Sequence, residues 1–165
     1  MDWYIWIIIA FVIMAAIYVA LMWVAKQLPN KMPYELNSSI LTNRELEFYK
    51  KLKPAADELN LVICPKVRLA DIVSVQKGEK ERNKYFNKIQ AKHIDFVLCD
   101  SDMKFKVLVE LDDSTHNRAD RRQSDEFKNE LFKQVQLPLI RFNSLKEDPK
   151  PAIETALNQP IAYTS

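Results

Sequence analysis

From Trp3 to Ala25 the chain runs 23 residues without a charge and without Asn, Gln, Ser, Thr, Gly or Pro. A helix rises about 1.5 Å per residue, so this run covers roughly 34 Å, enough to cross a hydrocarbon core about 30 Å thick. Such a run argues against a wholly soluble chain, and because no second apolar run exceeds a strand's length, a multi-pass one is excluded as well. All three Trp lie in this segment, Trp3 and Trp6 near one end beside Tyr4 and Trp23 near the other. Membrane interfaces favour such amphipathic rings. Lys26 and Lys31 follow the segment while only Asp2 and the amino terminus precede it, so the expected orientation is amino terminus outside and carboxyl side in the cytoplasm. A cleaved signal peptide fits less well, for want of a basic n-region, a shorter apolar stretch and a small-x-small cleavage site.

Residues 1–25 are therefore expected to be a transmembrane anchor contacting the lipid bilayer through residues 3–25. Residues 26–40, with Pro29, Pro33 and Asn37-Ser38-Ser39 and no clean periodicity, read as a linker. Residues 41–165 form one domain. Its two Cys, Cys64 and Cys99, both lie in apolar runs and have neither a disulfide pattern nor zinc-ligand spacing.

The domain opens on a helix start. Thr42 with Glu45 three residues later makes a capping box, and Leu46, Tyr49 and Leu52, or Phe48 and Leu52, supply a buried stripe that Pro54 is expected to end or bend. Leu61–Val67 is a strand whose Pro65 suits an edge. A short helix over Leu69–Val75 and a basic one over Arg82–Ala91 follow, separated by a charged loop that holds the only Gly, Gly78. His93–Cys99 and Phe105–Leu111 are two strands of a hairpin. A long helix over Asp120–Val135, a strand over Leu137–Phe142 and a helix over Pro151–Leu157 complete a mixed sheet flanked by helices.

The hairpin carries the chemistry. With a turn centred near Asp102, opposed residues sum to about 204–205, which sets Asp95 opposite Val109 or Glu110. In the second register two carboxylates stand about 4.5–5.5 Å apart at Cβ, on strands apolar on both faces. Such a pair raises a pKa unless a cation lies between its members. A hard divalent ion bound by one or two carboxylates resolves that conflict, as do ion pairs to Lys92, His93 or Arg141. His116, just beyond Leu111-Asp-Asp-Ser-Thr, suits a general base beside such acids, or a solvated loop residue.

Thr42-x-x-Glu45 with Phe48-Tyr49, Lys66-Val-Arg-Leu-Ala-Asp71, Lys92-His-Ile-Asp-Phe-Val-Leu-Cys99, Val109-Glu-Leu-Asp-Asp-Ser-x-His116 and Asp125 together resemble a bacterial domain family of the restriction-endonuclease-like (PD-(D/E)XK) superfamily. Relatives of that family include the very-short-patch-repair endonucleases. The resemblance covers about residues 40–145. It implies an α/β fold, an αβββαβ core behind one transmembrane helix, at a bacterial inner membrane. It also implies that Asp95 and Glu110, with Glu45, gather Mg²⁺ or Mn²⁺ for phosphodiester hydrolysis, with Asp112, His116 and Asp125 as further site members. Two positions depart from the pattern. Asp112 stands where most such nucleases carry Lys, so the water-activating cation must come from His116, Lys92 or Lys128. Asp113 stands where the short-patch relatives carry Gly.

Residues 26–165 hold 24 basic and 21 acidic side chains, a weak overall footprint for a polyanion. Basic residues cluster locally at Lys77–Lys92 and at Arg118, Arg121 and Arg122. Lys88, Lys92, Arg121 and Arg122 are the expected contacts to DNA or RNA, with Tyr85 and Phe86 able to stack on bases. Anionic lipid headgroups would suit the same lysines. The alternatives to a nuclease are a catalytically silent domain of the same fold, binding nucleic acid or a protein partner at the membrane, and a purely structural anchor.

Overall fold

The computed structural model describes residues 2–27, 32–112 and 119–161. It divides into two units, Met1–Asn37 and Ser38–Ser165. The first contains α1 (Trp3–Gln27), a single helix long and apolar enough to cross a membrane.

The second unit is a four-stranded mixed sheet between helices. In chain order it comprises α2 (Asn43–Glu58), β1 (Val62–Arg68), α3 (Leu69–Ile72), α4 (Arg82–Gln90), β2 (His93–Cys99), β3 (Phe105–Leu111), α5 (Ala119–Gln134), β4 (Leu139–Phe142) and α6 (Pro149–Leu157). Strands lie in the order β1-β2-β3-β4; the first three are mutually antiparallel and β4 runs parallel to β3. The parallel step follows from chemistry: α5 supplies the crossover that a parallel pair requires. Central β2 and β3 are apolar on both faces because both faces are covered. Phe48, Leu52, Ala55 and Ala56 of α2 and Ile153 and Ala156 of α6 pack with Phe96, Leu98, Val107 and Val109 on one face. On the other, Leu69 of α3, Ile89 of α4 and Phe132 of α5 pack with Val97, Cys99 and Leu108. Both cysteines are free thiols.

The expected elements are present, with shifts at their ends. Of the two outcomes expected at Pro54, the α2 helix does not end there but runs on to Glu58. Proline removes one helical hydrogen bond, and here it sits on the exposed face, where water can take the freed carbonyl. With only one Gly in the chain, both α2 and α5 close on other residues in the left-handed region, Asn60 (φ 54°) and Gln136 (φ 54°). At each end the next two N–H groups bond back: Asn60 to the carbonyl of Asp57 and Leu61 to that of Ala56, Gln136 to Lys133 and Leu137 to Phe132.

Candidate functional site

One end of the sheet holds the one buried charged side chain among the described residues and most of the half-buried ones. There the carboxyl ends of β1, β3 and β4 meet the amino end of β2. The β2–β3 pairing runs Phe96↔Val109 and Val97↔Leu108, and the same register carried one step further sets Asp95 opposite Glu110. Of the two registers open to the sequence, the structure thus takes the one that opposes the acids. The pairing shifts only at Leu98/Cys99, next to the turn.

Glu110 is the one charged side chain buried among the described residues, at 4% exposure. An ionised carboxylate so enclosed needs full compensation. It receives it from two elements: Lys128 of α5 donates to Oε1, and Arg141 of β4 donates to Oε2 through Nε at 3.2 Å and a terminal nitrogen at 3.1 Å. The β3–β4 register sets Glu110 directly beside Arg141. Arg141 also reaches the carboxylates of Asp112 at 3.9 Å and Asp125 at 3.8 Å.

A third cation joins the other two acids. Lys66 donates from Nζ to Glu45 Oε1 at 2.6 Å and to Asp95 Oδ1 at 3.0 Å. Asp95 Oδ2 accepts from the Leu111 N–H at 3.1 Å, so this carboxylate closes the end of the β2–β3 ladder. Lys66 occupies the register position opposite Asp95, between the pairs Pro65↔Phe96 and Val67↔Ile94, in the left-handed region at φ 55°. That conformation interrupts the strict alternation of the strand. Ile63 packs with the α2 side and Cys64 with the α5 side, as alternation requires, but Val67 then packs with the α5 side rather than the α2 side. The break lets Lys66 reach Glu45 on α2. A non-glycine residue at such a φ inside a strand costs energy that the surrounding contacts must cover.

Glu45 also completes the expected capping box: Thr42 Oγ1 accepts from its N–H, and its own Oε2 accepts from the Thr42 N–H at 2.9 Å. The two readings of this acid therefore coexist, with one oxygen capping the helix and the other facing Lys66. Burial alone would raise the Glu45 carboxyl, but the Lys66 and Thr42 hydrogen bonds outweigh it and hold the group below the ordinary range. Lys66 shows the mirror image. Burial pulls its ammonium down, and its bonds to Glu45 and Asp95 more than restore it. Asp112 goes the other way. Burial pushes its carboxyl up, Arg141 and Lys128 pull it down, and the carboxylates of Asp125 and Asp95 push it up again, leaving it above the ordinary range. The backbone at Asp112 is clamped by Arg44, which donates to the Asp112 carbonyl at 2.7 Å and to that of Asn143 at 3.3 Å.

Five of the six expected site acids and bases, Glu45, Asp95, Glu110, Asp112 and Asp125, thus converge on this sheet end through Lys66, Lys128, Arg141 and Arg44. The sixth, His116, lies outside the described residues. The partners of Asp95 and Glu110 include the anticipated Arg141, with Lys66 and Lys128 in place of Lys92 and His93. Lys66 went unrecognised as a site residue. Its signal was a lone cation inside an apolar strand, a placement that a lysine tolerates only with a partner. Among the described residues, no three His, Cys, Asp or Glu side chains are grouped closely enough to form a ready metal cage. Of the expected nucleic-acid contacts, Lys88 stands over the Tyr85 ring at 5.6 Å on α4, and Lys92 follows that helix, half-buried. Arg121 and Arg122 fall at the start of α5, with side chains outside the described residues.

A protein-family model described as "Protein of unknown function (DUF2726)" matches residues 37–160, which span the whole of the sheet and its helices. The chain belongs to the DUF2726 family. The matched segment begins after α1 and contains the α/β unit with its charged sheet end. No curated protein and no solved structure matches the chain.

Proposed function

We propose that this chain is a membrane-anchored, divalent-metal-dependent nuclease-like protein, built on a restriction-endonuclease-like core and hydrolysing phosphodiester bonds of nucleic acid. The observation that carries this reading is the surplus of acid at one sheet end, where Asp95 and Glu110 oppose each other in register beside Asp112. Carboxylate oxygens of this kind suit Mg²⁺ or Mn²⁺, with Asp95 and Glu110 as the residues to hold the ion. Bound there, a divalent cation would polarise a phosphodiester and lower the pKa of attacking water. Lys66 and Lys128 are ammonium groups on oxygens of Asp95 and Glu110, and a doubly charged ion held there would have to take their place. Lys128 on α5 supplies the cation that Asp112 cannot, and His116 is assigned the general base. The run Trp3–Ala25 crosses the bilayer, with the carboxyl side in the cytoplasm by the Lys26 and Lys31 asymmetry.

The test needs no guess about substrate. Thermal melting of the full chain in detergent, followed by circular dichroism against added Mg²⁺ and Mn²⁺, should rise for the natural sequence and not for Asp95→Asn or Glu110→Gln. A ligand bound only to the folded state stabilises by about 2.7 kcal/mol at a hundred times its dissociation constant, a shift easily read. The measured quantity is the metal-induced increment, because both substitutions change the starting stability.

A second reading has its own observation. Both Glu110 oxygens already carry protein cations, and no ready three-acid cage exists among the described residues. On that reading the lysines neutralise the acids permanently, and the fold is a catalytically silent module binding nucleic acid or a protein. A natural sequence whose melting ignores both metals would select it.

A further inference from the structure

Outside the charged sheet end, the most unusual surface is α4 and the loop before it. Residues 77–92 carry Lys77, Lys80, Arg82, Lys84, Lys88 and Lys92 against only Glu79 and Glu81. In α4 itself a single residue, Ile89, is buried, anchoring the helix on the sheet. Tyr85 and Phe86 instead project into solvent, 42% and 41% exposed, although large aromatic side chains normally bury. Lys88 lies across the Tyr85 ring, and Lys84 pairs with Glu81 at 2.9 Å, so the basic groups flank the rings. A short helix with aromatic side chains bracketed by lysines has the composition of an interfacial membrane helix. The rings suit the headgroup level, and the lysines suit anionic headgroups.

Covalent connection supplies the second half of the argument. Residues 28–42 join α1 to α2, and at 3.3–3.6 Å per residue they reach at most about 50 Å. Once α1 is in a bilayer, the unit can never leave the neighbourhood of that bilayer, and a weak surface contact is made strong by proximity. A nucleic acid has no such advantage.

We propose that α4 is a second membrane contact, with Tyr85 and Phe86 seated at the headgroup level and the surrounding lysines on anionic phospholipid. It rests on the reading of α1 as a bilayer anchor, and it assigns Lys88 to lipid rather than to nucleic acid. It does not depend on the sheet end being a nuclease.

Hydrogen exchange of the full chain in nanodiscs tests it, comparing phosphatidylcholine alone with phosphatidylcholine containing phosphatidylglycerol. Amides of residues 82–92 should exchange more slowly only in the anionic discs, and added salt should abolish the difference. Attraction to an anionic surface is worth roughly a fivefold factor per basic residue, so Lys84→Gln with Lys88→Gln should cut the lipid-dependent protection some twenty-fold or more. Tyr85→Ser with Phe86→Ser should remove it in the anionic discs although every lysine is kept. These four side chains are exposed, and unchanged exchange in β3 serves as the check that the fold is intact. Equal exchange of 82–92 in both lipids, with α1 protected in both, overturns the contact and leaves the anchor standing. An unprotected α1 overturns both. Protection of 82–92 by a single-stranded oligonucleotide and not by phosphatidylglycerol overturns the proposal in favour of nucleic acid.

Discussion

Glu110→Gln isolates what the buried ion pair contributes. The substitution keeps the shape of the side chain and removes its charge, leaving Lys128 and Arg141 at 13% and 19% exposure beside a neutral amide. Arg141 retains the carboxylates of Asp112 and Asp125 at 3.9 and 3.8 Å, so the unmatched charge is chiefly that of Lys128. Breaking a buried pair from one side costs about 3–5 kcal/mol, a fifth or more of the stability of an ordinary domain. For a unit of this size, each kcal/mol moves the melting temperature by roughly 3–5 °C, so Tm should fall about 9–25 °C. The double variant Glu110→Leu with Lys128→Met replaces the pair by apolar groups of similar volume, and such exchanges are often neutral or stabilising. It should therefore recover most of what the single change lost. Circular dichroism melts of the single and double variants form the assay. A single variant within about 1 kcal/mol of the natural sequence, or a double variant no better than the single, would refute the claim that Glu110 is held as a desolvated charge.

Three further outcomes follow from neighbouring groups. Lys66→Met should flatten the pH–stability curve at both ends. Glu45 titrates below its usual 4.5, so its share of stability is present above that pH and lost as pH falls through the lowered value; Lys66 titrates above its usual 10.5, so its share is lost only as pH rises through the raised value. Urea titrations across pH would show it. Asp112→Asn should raise Tm at pH 7, because a carboxyl held above its usual value destabilises the fold when ionised, and the gain should shrink in acid as the natural Asp112 takes up its proton. Gln136→Gly should stabilise by roughly 0.5–1 kcal/mol, since Gly adopts the φ of 54° there without steric cost. A lower denaturation midpoint would show instead that the glutamine side chain has a role of its own.

Much of the fold was legible because its signals are local. The two hairpin strands follow from apolar runs bounded by an Asp-rich turn, and Asp100 Oδ1 indeed accepts from the N–H groups of Asp102 and Lys104 at that turn. The capping box at Thr42 and Glu45 needs only four residues to be visible. What stayed hidden depends on which element lies against which. That α2 runs on past Pro54 stayed hidden because sequence does not reveal that this side of the helix faces water. The opposed acids at Asp95 and Glu110 were one of two registers, and the shift at Leu98/Cys99 that fixes the choice is a property of the turn's backbone. The cations were hardest to assign. Lys66, Lys128 and Arg141 come from three elements far apart in sequence, and each is an unremarkable residue until the sheet brings it to the acids.

Lys66 shows how the site constrains its own scaffold. An edge strand carrying Pro65 has already given up one ladder donor, and the next residue abandons strand geometry altogether. A regular strand there would give Val67 to the α2 side and keep Lys66 from Glu45. The left-handed turn instead keeps Val67 in the core on the α5 side and delivers one ammonium to two carboxylates. Gly would take that φ at no steric cost, yet Gly has no ammonium, and Glu45 and Asp95 would then face each other unneutralised. The strain at φ 55° and the charge at Nζ are thus linked.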